Sequence, residues 1–277
     1  MFYAHASVGT LHVRPVLNMK SDQDIKNMRS ISEEAFEMVK DYKGSHSGEH
    51  GDGIVRSEFH EMMFGKNITN AFEEIKDTFD NKNLLNPGKI VRPFKSNDRS
   101  LMRYKSDYQT ENISTHYDWS NWGQFSDAIE MCNNNGACRK LDSGVMCPSY
   151  RVTKEEKDLV RGRANTLRLA LSNQLPEGSF VSKEMYETME LCVSCKACQR
   201  ECPMSVDMAK MKSEFLSHYY KKFSMRIKDR IISDMPKLIW LYRIVNPIIN
   251  KIKNYPLISD IIRKFGFATE RSLPEVQ

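Results

Sequence analysis

Seven cysteines, all between residues 132 and 202, are the residues whose spacing most plainly indicates chemistry. Four of them form the run Cys192-Val-Ser-Cys195-Lys-Ala-Cys198-Gln-Arg-Glu-Cys202-Pro203. Two residues between successive thiolates let a tight loop place three sulfurs on three corners of an iron–sulfur cube, while the fourth cysteine projects away. Pro203 ends the loop and suits the first turn of a following helix. The run therefore predicts an iron–sulfur cluster.

A second, altered motif offers the partner that such a run requires. It reads Cys132-Asn-Asn-Asn135-Gly-Ala-Cys138, followed by Cys147-Pro148. In two-cluster ferredoxins the last cysteine of each motif ligates the cluster of the other motif. The predicted ligands are Cys147, Cys192, Cys195 and Cys198 for a 4Fe-4S cluster, and Cys132, Cys138 and Cys202 for a second cluster. Asn135 stands where a further cysteine is expected, so the second cluster is predicted to be either 4Fe-4S or 3Fe-4S.

Zinc and disulfide bonds are the alternatives for these cysteines. Seven cysteines leave one unpaired in any full disulfide scheme, and a C-x2-C-x2-C run is too crowded for two bridges. Zinc favours two ligand pairs at longer separation. The proline that directly follows the last cysteine of each motif favours iron–sulfur clusters. Reduced, metal-bound cysteines also indicate a reducing compartment, and we expect a cytoplasmic protein.

The positive charge of the chain is concentrated in its last quarter. The formal net charge is +5, and residues 209–277 contain fourteen Lys/Arg against six Asp/Glu. No nucleic-acid-binding motif accompanies this charge, so no nucleic-acid partner is expected. Because basic residues there flank an apolar stripe, the tail can lie on the inner face of an anionic membrane or pack against another domain, and we favour the second.

The first half of the sequence predicts two strands and several helices around a glycine-rich loop. Phe2–Val8 and Leu11–Leu17 read as strands with a turn at Gly9-Thr10. Apolar residues at helical intervals predict a helix over Asp22–Tyr42. The polar segment Gly44–Gly53 contains four glycines among its ten residues, which lets its side chains converge on a small ligand. Two further helices are predicted over Ser57–Met63 and Asn67–Phe79.

The second half is predicted to be helical. Helices are expected over Lys154–Leu171 with Thr153 as N-cap, over Ser182–Leu191 and over Val206–Phe223. Three shorter amphipathic helices are expected beyond them, separated by Pro236, Pro247 and Pro256. Two sets of side chains are predicted to lie at the surface without a role: Arg161, Arg163 and Arg168, and His46, His60, His116 and His218.

Three motifs in the first half, in this order, resemble the C-terminal part of the FAD-linked oxidases that dehydrogenate D-2-hydroxy acids. They are His5-x6-His12, Gly48-Glu49-His50-Gly51-x-Gly53 and Leu85-Asn86-Pro87-Gly88-Lys89. This family includes D-lactate, glycolate and D-2-hydroxyglutarate dehydrogenases. The cysteine region, with Met146-Cys147-Pro148-Ser149-Tyr150-Arg151, resembles the ferredoxin segment of a large bacterial fusion in which flavin and iron–sulfur domains share one polypeptide.

The resemblance implies roles for particular residues. His5, His12 and Glu49 would bind a divalent metal, zinc or manganese, that grips the carboxylate and hydroxyl oxygens of the substrate; two imidazoles and a carboxylate suit such an ion. His50 would take the hydroxyl proton while hydride leaves for the flavin. Asn86 would lie near the FAD. Singly, each of these residues could be an ordinary strand or loop residue, and the ordered set favours the functional interpretation.

The expected fold class is α+β, and the expected domains are four segments. They are a partial FAD-linked oxidase C-terminal domain (1–94), a linker (95–124), an α-helical ferredoxin domain with two clusters (125–223) and a basic amphipathic helical tail (224–277). The resemblance implies an FAD-binding domain that residues 1–277 do not contain. On this view the chain is an interior piece, a split-gene product or a truncated reading frame.

The function expected from the sequence is that of part of a flavin-dependent D-2-hydroxy-acid dehydrogenase that passes electrons from FAD to iron–sulfur clusters. Its partners would be a small 2-hydroxy acid, an FAD-binding domain or subunit, and an electron acceptor that the sequence does not identify. The alternative is a non-catalytic iron–sulfur electron-transfer subunit that docks on a separate flavoprotein.

Overall fold

The computed structural model describes residues 2–273, and it separates the chain into two compact units. The first unit ends at Gln109 and the second begins at Thr110. Helices outnumber strands in both units, and the described residues contain a single two-stranded sheet. No helix among residues 2–273 is long and apolar enough to cross a membrane.

The first unit begins with a β-hairpin and continues with three helices. Strands β1 (Phe2–His5) and β2 (Thr10–Val13) pair antiparallel and are shorter than the sequence predicted. The helices are α1 (Asp22–Asp41), α2 (His60–Phe64) and α3 (Lys66–Phe79). Ser21 caps α1 by accepting a hydrogen bond from the Asp24 N–H, as expected at a helix start. A turn of 3-10 helix at Ser57–Phe59 precedes α2 where one continuous helix was predicted.

Aromatic rings and one ion pair hold α1 against the start of α2. The Phe36 and Phe59 rings meet edge to face with centroids 4.3 Å apart. Beside them the Arg29 guanidinium donates to Glu58 at 3.0 Å. Glu58 also accepts a hydrogen bond from the Ser96 N–H at 2.7 Å, so one carboxylate joins α1, the turn before α2 and the segment at residue 96.

The second unit contains nine helices among its described residues. They are α4 (Phe125–Glu130), α5 (Pro148–Thr153), α6 (Val160–Leu171), α7 (Lys183–Glu190), α8 (Ala197–Glu201), α9 (Met208–Lys222), α10 (Ile227–Asp234), α11 (Ile239–Ile252) and α12 (Pro256–Lys264). Helices α4, α6, α7 and α9 surround one apolar core. Its most deeply buried members are Ile129, Leu159, Leu167, Leu171, Met189, Val206, Met208 and Phe215.

In the second unit, the start of one helix, its N-cap and the position of one proline differ from the sequence-based prediction. The helix expected from Lys154 begins instead at Val160, because Lys154 has a positive φ of 60° and ends α5. Thr153 is therefore not an N-cap, and its hydroxyl donates to the buried Asp158 carboxylate at 2.7 Å. Pro247 lies inside α11 rather than between helices.

The segment before α4 is fixed to α9 by a buried carboxylate. Glu214 on α9 has no exposed surface. It accepts hydrogen bonds from the His116 and Tyr117 N–H groups and from the Trp119 indole at 2.9, 3.0 and 3.1 Å. Burial raises the pKa of Glu214, but these donors outweigh burial and hold the pKa below its usual value. The predicted linker is thus ordered at this end, and Trp119 is part of the core.

Candidate functional site

The hairpin places two histidines on one face of its small sheet. Tyr3 pairs with His12 and His5 pairs with Thr10, and alternate residues of a strand point to the same side. All four side chains therefore share a face, with the His5 and His12 rings 4.9 Å apart between centroids. The hairpin register thus explains why histidines separated by six residues come together.

Gly48 lets the glycine-rich loop approach this face closely. A Cβ atom at Gly48 would collide with the side chain of Thr10, so any larger residue would push the loop away from β2. With glycine there, the next residue, Glu49, lies over the two histidines. Its Oε1 atom is 3.2 Å from His5 Nε2 and 2.9 Å from His12 Nε2.

The three side chains fit a divalent transition metal. Their ligand atoms all lie within 4.8 Å of one another, and tetrahedral ligands about 2.0–2.1 Å from zinc are about 3.3 Å apart. His12 Nε2 is buried and has no hydrogen-bond partner among the described residues, despite its closeness to Glu49. A metal ion would satisfy that atom. The structure thus brings together the three predicted ligands, and their ligation remains a prediction.

His50 lies beside this cluster and is open to solvent. Its Nε2 is 3.0 Å from Glu49 Oε1, and its side chain is 67% exposed. Partial burial raises the pKa of Glu49, but His5, His50 and His12 outweigh it and hold that pKa below its usual value. Glu49 is therefore a carboxylate near neutral pH. With Nε2–H of His50 donating to it, Nδ1 is left as the basic ring atom.

Asn86 lies on an exposed turn that Asp80 holds in place. Asp80 accepts hydrogen bonds from the Leu84 N–H at 2.9 Å and the Leu85 N–H at 2.8 Å, and its carboxylate pairs with Lys76 at 2.5 Å. The Lys76 contact and these amides lower the pKa of Asp80 to about 2. Asn86 itself has a positive φ of 49° and accepts from the Lys89 ammonium at 3.2 Å. Its predicted place near FAD stays a prediction.

The prediction that His46 and His60 are surface residues is wrong, whereas His116 is exposed as predicted and His218 is half-buried. His46 is 8% exposed and His60 is 4% exposed. Both imidazoles face Asp52, which belongs to the same loop as Glu49. No local motif marks them, and their burial depends on how the loop packs against α1 and α2, where Phe36 and Phe64 contact the His46 ring.

Four of the seven cysteines line one small cavity in the second unit. They are Cys147, Cys192, Cys195 and Cys198, the set predicted for the 4Fe-4S cluster. Cys147, Ser194 and Lys196 have positive φ angles of 55°, 53° and 59°. Such conformations cost energy outside glycine and cluster at ligand sites, here where the chain must wind tightly around one point.

Helix starts point backbone donors at the buried sulfurs. The Val160 N–H at the start of α6 donates to Cys147 Sγ at 3.2 Å, and Met208 and Ala209 at the start of α9 donate to Cys198. Burial raises the pKa of Cys147 to about 12 and also raises the pKa of Cys198. These thiols therefore stay protonated until the charge of a metal replaces the proton. Positive helix ends suit the resulting anionic cluster.

The remaining cysteines lie in the neighbouring part of the fold. Cys132 and Cys138 are buried, and Cys202 is half-buried at the end of α8. Burial raises the pKa of Cys138, and the Arg161 N–H donates to its sulfur. Glu201, next to Cys202, accepts from the Val145 and Met146 N–H groups at 2.9 and 3.0 Å. The Glu201 carboxylate therefore links the two cysteine motifs, and the assignment of these three cysteines to one cluster remains a prediction.

Asn135 is exposed and its side chain forms a local turn. Its Oδ1 accepts from the Ala137 N–H at 2.8 Å, and its Nδ2 donates to Asn133 at 2.6 Å. Both ends of the amide are thus engaged by neighbouring residues rather than directed at the sulfurs. No disulfide bond joins any of the seven cysteines, all of which lie among the described residues.

Two family models match separate parts of the chain. Residues 1–90 match the C-terminal domain of FAD linked oxidases, and residues 128–206 match the 4Fe-4S dicluster domain. The predicted resemblance is therefore confirmed, and the chain carries both domains. A mostly helical chain with few strands is compatible with the predicted α+β class.

Two curated relatives with the same name match most of the chain, and a third relative matches about a third of it. D-2-hydroxyglutarate dehydrogenase of Haemophilus influenzae is 31% identical over 271 residues, which cover 84% of this chain and 26% of that protein. The Escherichia coli protein of the same name is 28% identical over 303 residues, covering 95% of this chain and 29% of its own length. D-lactate dehydrogenase of Archaeoglobus fulgidus is 33% identical over 90 residues, or 32% of this chain and 19% of its own. The chain thus spans less than a third of these relatives. No solved structure matches it significantly.

Proposed function

We propose that this chain is the metal-binding and electron-relay part of a D-2-hydroxy-acid dehydrogenase. Its residues 1–90 belong to the FAD linked oxidase C-terminal domain family, and its residues 128–206 belong to the 4Fe-4S dicluster family. The substrate class is D-2-hydroxyglutarate or D-lactate. The flavin is held mainly by an FAD-binding domain or subunit outside residues 1–277. The convergence of His5, His12 and His50 on one oxygen of Glu49 carries the proposal.

His5, His12 and Glu49 would hold the zinc or manganese ion. When bound, the ion would supply a Lewis acid for the carboxylate and hydroxyl oxygens of the substrate. Glu49 serves this site in two ways, because the same oxygen that faces both strand histidines also accepts from His50. The charge of Glu49 therefore fixes the orientation of His50 as well as the position of the ion.

His50 is the proposed general base. Its exposure leaves the ring accessible to a substrate, and its Nε2–H bond to Glu49 leaves Nδ1 free to accept the hydroxyl proton. FAD, when bound, would supply the acceptor for the hydride of the α-carbon, so that a hydroxy acid would become a 2-oxo acid by losing that hydride and the proton that His50 takes.

The second unit would then carry electrons away from the flavin one at a time. Four cysteines around one cavity and helix starts directed at their sulfurs support a cluster there. Cys147 and Cys198 lie in the apolar core and Cys192 packs against it, whereas Cys195 is exposed, so one side of the cluster would face solvent. We propose a cytoplasmic location for the assembled enzyme, since both clusters need reduced cysteines.

An anaerobic rapid-mixing experiment tests this function. The chain, with its clusters loaded, is combined with an FAD-loaded partner domain and mixed with D-2-hydroxyglutarate or D-lactate. Flavin bleaching followed by cluster bleaching is expected with the D- but not the L-enantiomers. His12→Ala should stop both phases while dithionite still reduces its clusters.

If the partner domain without this chain reduces its flavin at the same rate, the alternative is supported, in which this chain is a non-catalytic electron-transfer subunit. No cluster reduction by any D-2-hydroxy acid, although the partner flavin becomes reduced, would contradict the proposed relay.

A further inference from the structure

His46, Asp52 and His60 form a second group of potential metal ligands in the first unit. Their ligand atoms lie within 4.8 Å of one another. His60 Nε2 is 2.7 Å from Asp52 Oδ2, and His46 Nε2 is 3.7 Å from Asp52 Oδ1. The two imidazoles thus face different oxygens of one carboxylate. Each of the three residues thus offers at least one donor atom within this short range.

The group is buried and incompletely satisfied. The side chain of His46 has no exposed surface, and that of His60 is 5% exposed. Neither nitrogen of His46, nor Asp52 Oδ1, has a hydrogen-bond partner among the described residues. A buried polar atom without a partner costs about 1–3 kcal/mol. An ion between His46 and Asp52 would remove this cost for two of these atoms.

The distances are close to those that an ion would need. Zinc bonds of about 2.0–2.1 Å place tetrahedral ligand atoms about 3.3 Å apart, which lies between the observed 2.7 and 3.7 Å. The rings are held in place by apolar neighbours: Phe36 and Phe64 lie 5.3 and 5.8 Å from the His46 ring, and Phe72 lies 6.1 Å from the His60 ring. A site with fixed imidazoles needs little rearrangement to bind an ion.

We propose that His46, Asp52 and His60 bind a second divalent ion of the zinc type, separate from the ion at His5, His12 and Glu49. Its place in the sequence gives it a role. His46 and Asp52 bracket the loop segment that carries Glu49 and His50, and His60 begins α2. An ion held by all three fastens both ends of that segment to the helix. It acts as a structural clamp and leaves the reacting atoms to the first site.

The number of zinc ions bound per full-length chain tests whether this second site exists. The chain is purified anaerobically, its non-cluster metal is removed with a chelator, and zinc is added and the excess dialysed away. Zinc per chain is then measured by mass spectrometry, with iron and sulfide assayed to ensure that the cysteines remain occupied by clusters. Two zinc ions are expected in the parent chain and in His116→Phe, whose histidine is exposed and outside both groups.

Single variants separate the two sites. His12→Ala and Asp52→Asn should each retain one zinc, and the double variant none. Asp52→Asn keeps an oxygen that accepts from His60, so it removes charge while preserving the local contact. If His46, Asp52 and His60 are joined by hydrogen bonds alone and bind no ion, the parent chain holds one zinc, Asp52→Asn also holds one and His12→Ala holds none. That pattern overturns the proposal.

Hydrogen exchange gives a second readout that needs neither flavin nor substrate. In His12→Ala the remaining zinc should slow amide exchange in residues 44–53, and His46→Phe in the same background should abolish the effect. A circular-dichroism melt of each variant checks that it is folded. Zinc retained by folded His12→Ala/His46→Phe, or no protection by zinc in His12→Ala, contradicts the clamp.

Discussion

Arg163 and Asp158 form a buried ion pair beneath the cysteine cavity. The Arg163 Nη2 atom lies 3.3 Å from Asp158 Oδ1, and both side chains are at least 98% buried. The guanidinium also donates to the Asp158 and Thr188 carbonyl oxygens at 2.6 and 2.9 Å. Arg163 lines the cavity surrounded by Cys147, Cys192, Cys195 and Cys198. The prediction that this arginine is solvated is therefore wrong.

Replacing Arg163 should destabilise the second unit strongly. In Arg163→Met the Asp158 carboxylate stays buried without its cation, a loss of about 3–5 kcal/mol for comparable pairs. We expect the urea midpoint for loss of cluster absorbance to fall sharply under anaerobic conditions. Lys157→Met, at an exposed position of the adjoining turn, should change stability by less than about 0.5 kcal/mol. Equal midpoints for the two variants would contradict a structural role for the pair.

His50→Gln should separate proton transfer from metal binding. Glutamine can still donate to Glu49 but has no basic atom for the hydroxyl proton, so kcat of the reconstituted enzyme should fall about 10²–10⁴-fold. Zinc content should remain that of the parent chain, because His50 is not one of the three predicted ligands. His5→Gln should instead lower both quantities. Normal turnover by His50→Gln would remove His50 from the role of general base.

The histidine–glutamate centre was predicted through the family resemblance, which rests on short, ordered motifs, and the hairpin explains its geometry. A strand period of two and a short hairpin bring His5 and His12 to one face, and Gly48 marks the approach of the loop. His46, His60 and Arg163 were missed because their burial depends on contacts with distant segments. Periodicity places a residue on its own helix, but it does not show whether a neighbouring loop covers that side of the helix.

In the cysteine region, too, some features were predicted from the sequence and others were missed. The C-x2-C-x2-C run indicated three sulfurs on one tight loop, with Cys147 as their remote partner, and all four cysteines line the same cavity. The start of α6 was placed six residues too early, at Lys154 instead of Val160, because a continuous helical pattern hides a left-handed residue. The true start matters chemically, since the Val160 N–H donates to Cys147.

Lys212 should raise the reduction potential of the cluster at Cys147, Cys192, Cys195 and Cys198. Its ammonium donates to the Cys192 carbonyl oxygen at 2.6 Å and to the Glu190 carbonyl oxygen at 3.1 Å. Net charge and hydrogen bonding around a cluster control its potential. Lys212→Gln, which removes the positive charge but can still donate, should therefore shift the potential to a more negative value.

Redox titration followed by electron paramagnetic resonance measures that shift. Lys222→Gln, at the exposed end of the same helix, serves as the matched control and should leave the potential unchanged. An unchanged potential in Lys212→Gln with intact clusters would show that this ammonium does not control the cluster.

The two clusters should differ because Asn135 replaces a cysteine. A neutral amide is a poor ligand for an iron–sulfide corner, which prefers thiolate, and here both ends of the amide already bind Ala137 and Asn133. We expect the cluster at Cys132, Cys138 and Cys202 to lose one iron in air. Replacing a thiolate also removes a negative charge, which should raise its potential above that of its neighbour.

Electron paramagnetic resonance of air-exposed protein tests this predicted difference between the two clusters. The parent chain should show a three-iron signal, and Asn135→Cys should replace it with a stable four-iron cluster of lower potential. Asn133→Cys, at the neighbouring exposed asparagine, is the positional control and should leave the three-iron signal in place. A cysteine from another chain could complete the site instead, in which case adding the flavoprotein partner would abolish the signal without any substitution. Two equivalent four-iron clusters in the air-exposed parent chain alone would contradict the prediction, because an amide at residue 135 would then support the same site as a thiolate.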